Sequence, residues 1–384
     1  MLKKVAIFIL NLRCTLHYLL FSAGNCLFCI LRFLKLIHYH PFQNETVKKI
    51  LIIRPDRIGD LILSLPAIHA IRNRFPNAKI SVLINPDYKA ILYSNPDIDS
   101  IVYIERGTYL DFAKWTRLRN ILLKEKFDMA IALHSTLFSH ILCFISSAEF
   151  RIGSNRDGSG FLLTNCIGDI RDKNKHEIDA CLDIVESIGC YSHGKKPELY
   201  IHKEAEKDTK NIFKSLDIEE KTGFIVVHPG SRDVIYRWNK NKFAGLCDKI
   251  INEFSLPVIL IGDKKEKRLT GYIASKMKNK AVNLAGKLDL YQLIALISNA
   301  KLFIGHSTGP MHIAWSMNIP TVAIFGSVYP RHFYKRWEPL GDKSVVIKKD
   351  VECKTCFPWL CKNRICLDKI SVEDVFEKIG KILR

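Results

Sequence analysis

The chain has 384 residues, 48% of them hydrophobic, and a formal net charge of +19. That length exceeds one ordinary core and suits two domains of typical size, while the charge calls for an acidic partner: nucleic acid, an anionic membrane surface or a phosphorylated substrate. Nucleic acid is the weakest of the three, because the sequence has no zinc-finger spacing followed by histidines, no RNP-like aromatic motif and no helical basic region.

The first forty residues stand apart. From Val5 to Ile37 the chain is mostly Leu, Ile and Phe with no acidic residue, and the uncharged stretch between Arg13 and Arg32 is 18 residues long, the short limit for a membrane span. Lys3, Lys4 and Arg13 lie on one side and Arg32, Lys35, Lys48 and Lys49 on the other, so loop charge gives no orientation. A helix lying in the membrane plane, with basic residues at anionic headgroups, is favoured over a span. Ser22-Ala23-Gly24 resembles a signal-peptide cleavage site, but Arg13 interrupts the apolar region. A helix packed on the protein itself is the remaining alternative. Residues 1–45 are thus expected to be an apolar, basic, membrane-associating segment.

From Lys49 onward apolar runs alternate with helical patterns. Strands are predicted at Lys49–Arg54, Lys79–Ile84, Ser100–Ile104 and Phe127–Leu133, with helices over Leu61–Phe75 and Tyr109–Lys124. Continuous apolar strands separated by helices argue for a parallel sheet covered on both faces. A polar stretch from His202 to Lys221 breaks the rhythm, and strands resume at Gly223–His228, Pro257–Gly262, Leu302–Gly305 and Thr321–Phe325. The pattern predicts two α/β halves, residues 46–205 and 206–384, joined near Glu204–Thr222. Ligands of such sheets bind beyond the carboxyl ends of the strands, so two facing halves enclose a cleft lined by strand-to-helix loops.

In the first half, Arg54-Pro55-Asp56-Arg57-Ile58-Gly59-Asp60 lies between strand and helix. Gly59 permits a tight turn and sets Asp60 at the helix entry, where a carboxylate can accept a proton from a substrate hydroxyl or simply cap the helix. Arg54 and Arg57 can hold an anionic acceptor, or merely neutralise Asp56 and Asp60. In the second half, His228-Pro229-Gly230-Ser231 ends a strand with residues suited to a phosphate-approach loop, and Arg237 follows, able to pair with a phosphate bidentately. Glu266 can grip a ribose diol or form a surface charge pair. Finally, Leu302 to His306 runs into Ser307-Thr308-Gly309-Pro310-Met311-His312, an apolar strand breaking into small residues and a proline suited to a first helical turn. Free N–H groups and the helix dipole make that junction a seat for a diphosphate, with two hydroxyls to add. The same residues also serve as ordinary caps.

Of twelve cysteines, eight sit among apolar neighbours, as Cys143, Cys166, Cys181 and Cys247 do, and read as small buried hydrophobes in a reducing compartment. Cys353, Cys356, Cys361 and Cys366 crowd into the stretch 353–366. They can supply four thiolates to a structural zinc or remain free thiols.

Together these segments resemble glycosyltransferase family 9, the bacterial ADP-heptose:lipopolysaccharide heptosyltransferases, whose GT-B fold sets two Rossmann-like domains face to face. The resemblance runs from Lys49 to the C-terminus. It rests on Ile53-Arg54-Pro55-Asp56-Arg57-Ile58-Gly59-Asp60 with Pro66-Ala67, on His228-Pro229-Gly230-Ser231, on Asn283-Leu284-Ala285-Gly286 with Leu290, and on Ser307-Thr308-Gly309-Pro310-Met311-His312. It implies an inverting, metal-independent transfer, with no cofactor, of a sugar from a nucleotide-diphosphate donor. Heptose from ADP-heptose comes first, and the acceptor is lipopolysaccharide-type or lipid-linked. The resemblance further implies Asp60 as general base, Ser307, Thr308, Gly309 and His312 at the donor diphosphate, Glu266 at the ribose and Leu288 at the base. Ser231 and Arg237 near the donor, and Arg54 and Arg57 at the acceptor, keep the roles read from their own chemistry.

Two positions depart from the family pattern. Many members carry an aspartate where this chain has Ser307, and a lysine where it has Tyr236. The fold expectation is unaffected, and the sugar stays open. A nucleotide-sugar donor implies a cytoplasmic enzyme, attached peripherally to the inner face of the plasma membrane or by a single N-terminal span. A nucleotide-sugar epimerase of the same fold and a catalytically silent, membrane-tethered nucleotide-sugar binding protein are the alternatives.

Overall fold

The computed structural model describes residues 42, 47–105, 107–108, 111–155, 158–168, 175–215, 223–326, 334–351, 361 and 363–384. The expected membrane-associating segment therefore lies outside the described residues, apart from Phe42. Among the described residues no helix is long and apolar enough to cross a membrane.

The described residues form two six-stranded parallel sheets. The first contains β1 (Lys49–Ile53), β2 (Lys79–Ile84), β3 (Ser100–Tyr103), β4 (Met129–Ala132), β5 (Phe150–Ser154) and β6 (Asn165–Ile167) in the order β3-β2-β1-β4-β5-β6. The second contains β7 (Ile225–His228), β8 (Val258–Leu260), β9 (Val282–Asn283), β10 (Leu302–His306), β11 (Thr321–Ile324) and β12 (Ser344–Ile347) in the order β12-β11-β10-β7-β8-β9. Counted from its own first strand, each sheet has the same winding, reversing direction between its first and fourth strands. That reversal is where ligands of doubly wound sheets bind. The two-domain Rossmann-like expectation is met.

The central strands form because they are apolar on both faces. Ile50 and Ile52 of β1 enter one core cluster while Leu51 and Ile53 enter another, all fully buried, as the two-residue period of a strand requires. Each such side chain contributes about 1.5–3 kcal/mol by leaving water. The first cluster continues through Val226, Phe303 and Met311 of the second half, so an apolar core joins the two halves. Cys143, Cys181 and Cys247 are buried as expected and Cys166 is half-buried. Burial pushes each of these thiols up to about 12, which leaves them unreactive.

The structure corrects two expectations about elements. The helix predicted over Leu61–Phe75 is two helices, Ile58–Leu63 and Leu65–Arg74. Pro66 lacks an N–H and its ring clashes with the carbonyl four residues back, so the chain breaks at Ser64, whose hydroxyl donates to Leu61 O. The polar stretch after His202 contains a helix, Lys203–Ser215, which buries Ala205, Thr209 and Phe213 and sets the Phe213 ring 5.1 Å from that of Phe224.

Candidate functional site

The Arg54-to-Asp60 segment leaves the carboxyl end of β1 at the sheet's reversal point. Arg54 is fully buried: Nη1 donates to Leu133 O (2.7 Å), Nη2 to Glu177 Oε1 (2.7 Å) and Nε to Asp60 O (3.1 Å). Burial alone would lower the pKa of this guanidinium. Asp56 at 3.2 Å, Glu177 and Asp60 hold its pKa well above the ordinary value. With these donors committed inside the protein, Arg54 fits the second of its two sequence readings, neutralising Asp56 and Asp60, rather than touching an acceptor. Arg57, by contrast, is exposed.

Asp60 is the third residue of helix Ile58–Leu63, and the helix has no side-chain cap. Its side chain is 15% exposed. Burial, reinforced by the negative charge of Asp56, pushes its carboxyl up to about 7 against the pull of Arg54 and Arg57. A carboxylate in that range is suited to take a proton at neutral pH. One hydrogen bond reaches it from the other half of the chain: Trp337 Nε1 donates to Asp60 Oδ1 at 3.2 Å.

Facing this helix is the one that follows β10. Helix Gly309–Ser316 begins with Thr308 at its N-cap and Pro310 in its first turn, again with no side-chain cap. Pro310 has no N–H and Met311 N–H donates to Thr308 O (3.0 Å), which leaves the N–H groups of Thr308 and Gly309 for a ligand. Thr308 Oγ1 turns instead to His228 Nδ1 (3.0 Å) and the His306 carbonyl (3.2 Å). Ser307 is exposed. His306 is buried, donating from Nδ1 to Gly230 O (3.0 Å) and accepting the Trp238 N–H at Nε2 (2.8 Å). Burial pushes its pKa down to about 4, so the ring is a neutral brace between the two loops. His312 lies one turn into the helix with its ring buried against Gly59. It meets the first half rather than the open N–H groups.

Beside this junction, Glu266 Oε2 accepts hydrogen bonds from His228 Nε2 (3.2 Å) and the Asp263 N–H (3.0 Å), closing a capping box with Asp263. Despite burial, these contacts and Arg237 hold its carboxyl below the ordinary value. Arg237 Nε and Nη2 both donate to Ser231 O (2.9 and 2.6 Å), with Nη2 3.5 Å from Glu266 Oε1. A β-carbon on Gly230 would fall 1.9 Å from Glu266 Oε1, so this glycine makes room for the carboxylate. Leu288, half-buried, packs against the core just before helix Leu290–Ser298.

The motifs read from the sequence thus converge from both halves onto one interdomain face. The comparisons with known proteins follow the same outline: the family model for glycosyltransferase family 9 (heptosyltransferase) matches residues 115–366. The chain belongs to this family. It is a glycosyltransferase. It is 24% identical to lipopolysaccharide heptosyltransferase 3 of Escherichia coli over 333 residues, 85% of this chain and 96% of that one. A solved family 9 glycosyltransferase from Veillonella parvula superposes with a TM-score of 0.79 at 21% identity, covering 89% of this chain and 98% of its own. The E. coli ADP-heptose lps heptosyltransferase II structure gives 0.71 at 21% identity over 87% and 98%. The GT-B architecture expected of the glycosyltransferase is therefore present.

Several residues at the candidate site were missed in the sequence reading. Trp337 and Arg336 belong to a short segment after β11, and Glu177 starts helix Glu177–Glu186. The one cue for the first two was the basic-aromatic run Lys335-Arg336-Trp337, and Glu177 had none. Of the cysteine cluster, Cys353 and Cys356 lie outside the described residues, while Cys361 and Cys366 are half-buried. Among the described residues no group of three or more His, Cys, Asp or Glu side chains is arranged to hold a metal.

Proposed function

We propose that this glycosyltransferase moves heptose from ADP-heptose to a hydroxyl of a lipopolysaccharide-type or lipid-linked acceptor, in one inverting displacement without a metal. The observation that carries the reading is the pairing of Asp60, raised to about 7, with the uncapped N-terminus of helix Gly309–Ser316 packed against its own helix. Asp60 takes the proton of the acceptor hydroxyl as the oxygen bonds to the anomeric carbon. On the opposite face the bond from that carbon to the diphosphate breaks. Charge gathering on the leaving diphosphate falls to the N–H groups of Thr308 and Gly309, the Ser307 hydroxyl and Arg237, fixed donors that need no reorganisation. The transition state is oxocarbenium-like, as in glycoside hydrolysis.

In this reading residues 46–205 hold the acceptor, with exposed Arg57 toward its anionic groups, and residues 206–384 hold the donor, with Glu266 at the ribose and Leu288 at the base. Residues 1–45 attach the enzyme peripherally to the cytoplasmic face of the membrane, where an amphiphilic acceptor resides. The names of its relatives, lipopolysaccharide heptosyltransferases, support this acceptor class.

Calorimetric titration with ADP-heptose and with ADP-, GDP- and UDP-hexoses tests the donor. The expected result is tightest binding of ADP-heptose. Saturable binding of a GDP- or UDP-sugar, with none of ADP-heptose, overturns it.

A further inference from the structure

We propose that the segment Tyr334–Glu338 is a strap through which the donor-side half completes the catalytic base, with Trp337 and Arg336 as positioning residues. The proposal rests on the reading of Asp60 as general base. Three contacts carry it, all from this one segment to the other half of the chain. Trp337 Nε1 donates to Asp60 Oδ1 at 3.2 Å. Arg336 Nη2 pairs with Glu177 Oε2 at 2.7 Å. His176 Nε2 meets the Glu338 carbonyl at 3.0 Å.

The contacts are organised around Glu177. Its side chain is 8% exposed and lies between two arginines, Oε1 on Arg54 of its own half and Oε2 on Arg336 of the other. Arg54 in turn grips the backbone carbonyl of Asp60 and lies 3.8 Å from its carboxylate. A charge chain therefore runs from the strap through Glu177 and Arg54 to Asp60, while Trp337 reaches Asp60 directly. Removing one member of such a buried set leaves an uncompensated charge, so the set is complete only with the strap seated. His176 fixes the third contact by its tautomer. Nδ1 accepts the Ile178 N–H as the helix N-cap, so Nε2 carries the hydrogen that goes to Glu338 O. The Arg336 guanidinium also lies 5.6 Å from the centre of the Trp337 ring, which holds the two strap side chains together.

The consequence is mechanistic. One oxygen of Asp60 is occupied by an indole N–H that arrives only with the donor-side half, which directs the other toward the acceptor. Closure of the two halves thus arms the base. The charged and polar groups facing Asp60 are Arg57 at the N-cap of its helix, Arg54 and Asp56 before it, Glu177 on the helix alongside and Trp337 on the strap, with His312 against the adjacent Gly59 and Arg336 behind Glu177. An N–H donor favours the ionised carboxylate, so its loss moves the acidic limb of the rate profile upward.

The experiment compares Trp337→Phe, Arg336→Gln and the double variant with wild type, using purified full-length protein, ADP-heptose and a lipopolysaccharide acceptor. Trp337→Phe is expected to lower kcat about tenfold, the scale of one hydrogen bond to a charged group. Donor KM should stay within about twofold, and the acidic limb of kcat/KM should rise by about half a pH unit or more. Arg336→Gln is expected to move both quantities in the same direction, and the double variant to be no worse than about the larger single effect, as coupled residues behave. Unchanged kcat and an unmoved acidic limb in both single variants, each folded by circular dichroism, overturn the strap. Asp60→Asn run alongside separates the two readings: if it transfers at the wild-type rate, the base assignment itself has failed.

Discussion

A β-carbon on Gly59 would stand 2.6 Å from Cδ2 of His312, so the helix carrying Asp60 and the helix of the proposed diphosphate seat touch through a glycine. The contact is reciprocal: a β-carbon on Gly309 would meet Cγ2 of Ile58 at 3.1 Å. The two helix starts interlock, one from each half. Gly59→Ala forces a buried ring to move, an overpacking cost of about 1–3 kcal/mol, and the relief available is separation of the two halves. The expected outcome is transfer reduced about tenfold or more in a protein that still unfolds cooperatively, measured by steady-state rates and thermal unfolding. A wild-type rate would show that this contact does not govern closure.

Asp60 also predicts a trade between stability and activity. Its folded pKa of about 7 lies above the roughly 3.9 of an exposed aspartate. The folded protein therefore keeps a proton that the unfolded chain has lost, and stability declines as pH rises from about 4 to about 7 before levelling. Asn at this position does not titrate. Asp60→Asn should melt higher than wild type above pH 7, with the gap shrinking toward pH 4. Thermal unfolding across that range checks it, and a variant less stable at pH 8 contradicts the buried-charge account.

The donor side gives a separate test. Since a β-carbon on Gly230 would overlap Oε1 of Glu266 at 1.9 Å, Gly230→Ala displaces the carboxylate from its contacts with His228 and Asp263. Donor affinity measured by calorimetry should fall about tenfold or more, the scale of a lost hydrogen bond to a charged group. The acidic limb of the rate profile, assigned to the proposed base Asp60, should stay in place. An unaltered affinity would remove Glu266 from the donor site.

The central strands were legible because both of their faces are apolar, as in Ile50 to Ile53, and such runs leave a strand or a buried helix as the only choices. Strands β5, β6, β9 and β12 were not read. The last three are short, and most of their residues are only half-buried, so no apolar run announces them; β5 is mostly buried, but Arg151, Gly153 and Ser154 break its apolar run. The loops bearing Asp60, Glu266 and Thr308 were legible through glycine, proline and capping residues at strand ends. What those loops touch was not. Arg54 was open between holding an acceptor and neutralising Asp56 and Asp60, and its full burial was not legible, while Trp337 reaches Asp60 across 277 positions, a relation fixed by packing of the two halves and carried by no local pattern.

The most direct measurement of the central claim pairs a rate with a binding constant in one variant. Asp60→Asn should bind the nucleotide-sugar donor as tightly as wild type, within about twofold, while sugar transfer to the acceptor falls by roughly 10²–10⁴, the range of a lost general base. Transfer at the wild-type rate with donor binding intact would contradict the assignment of Asp60 and the mechanism built on it.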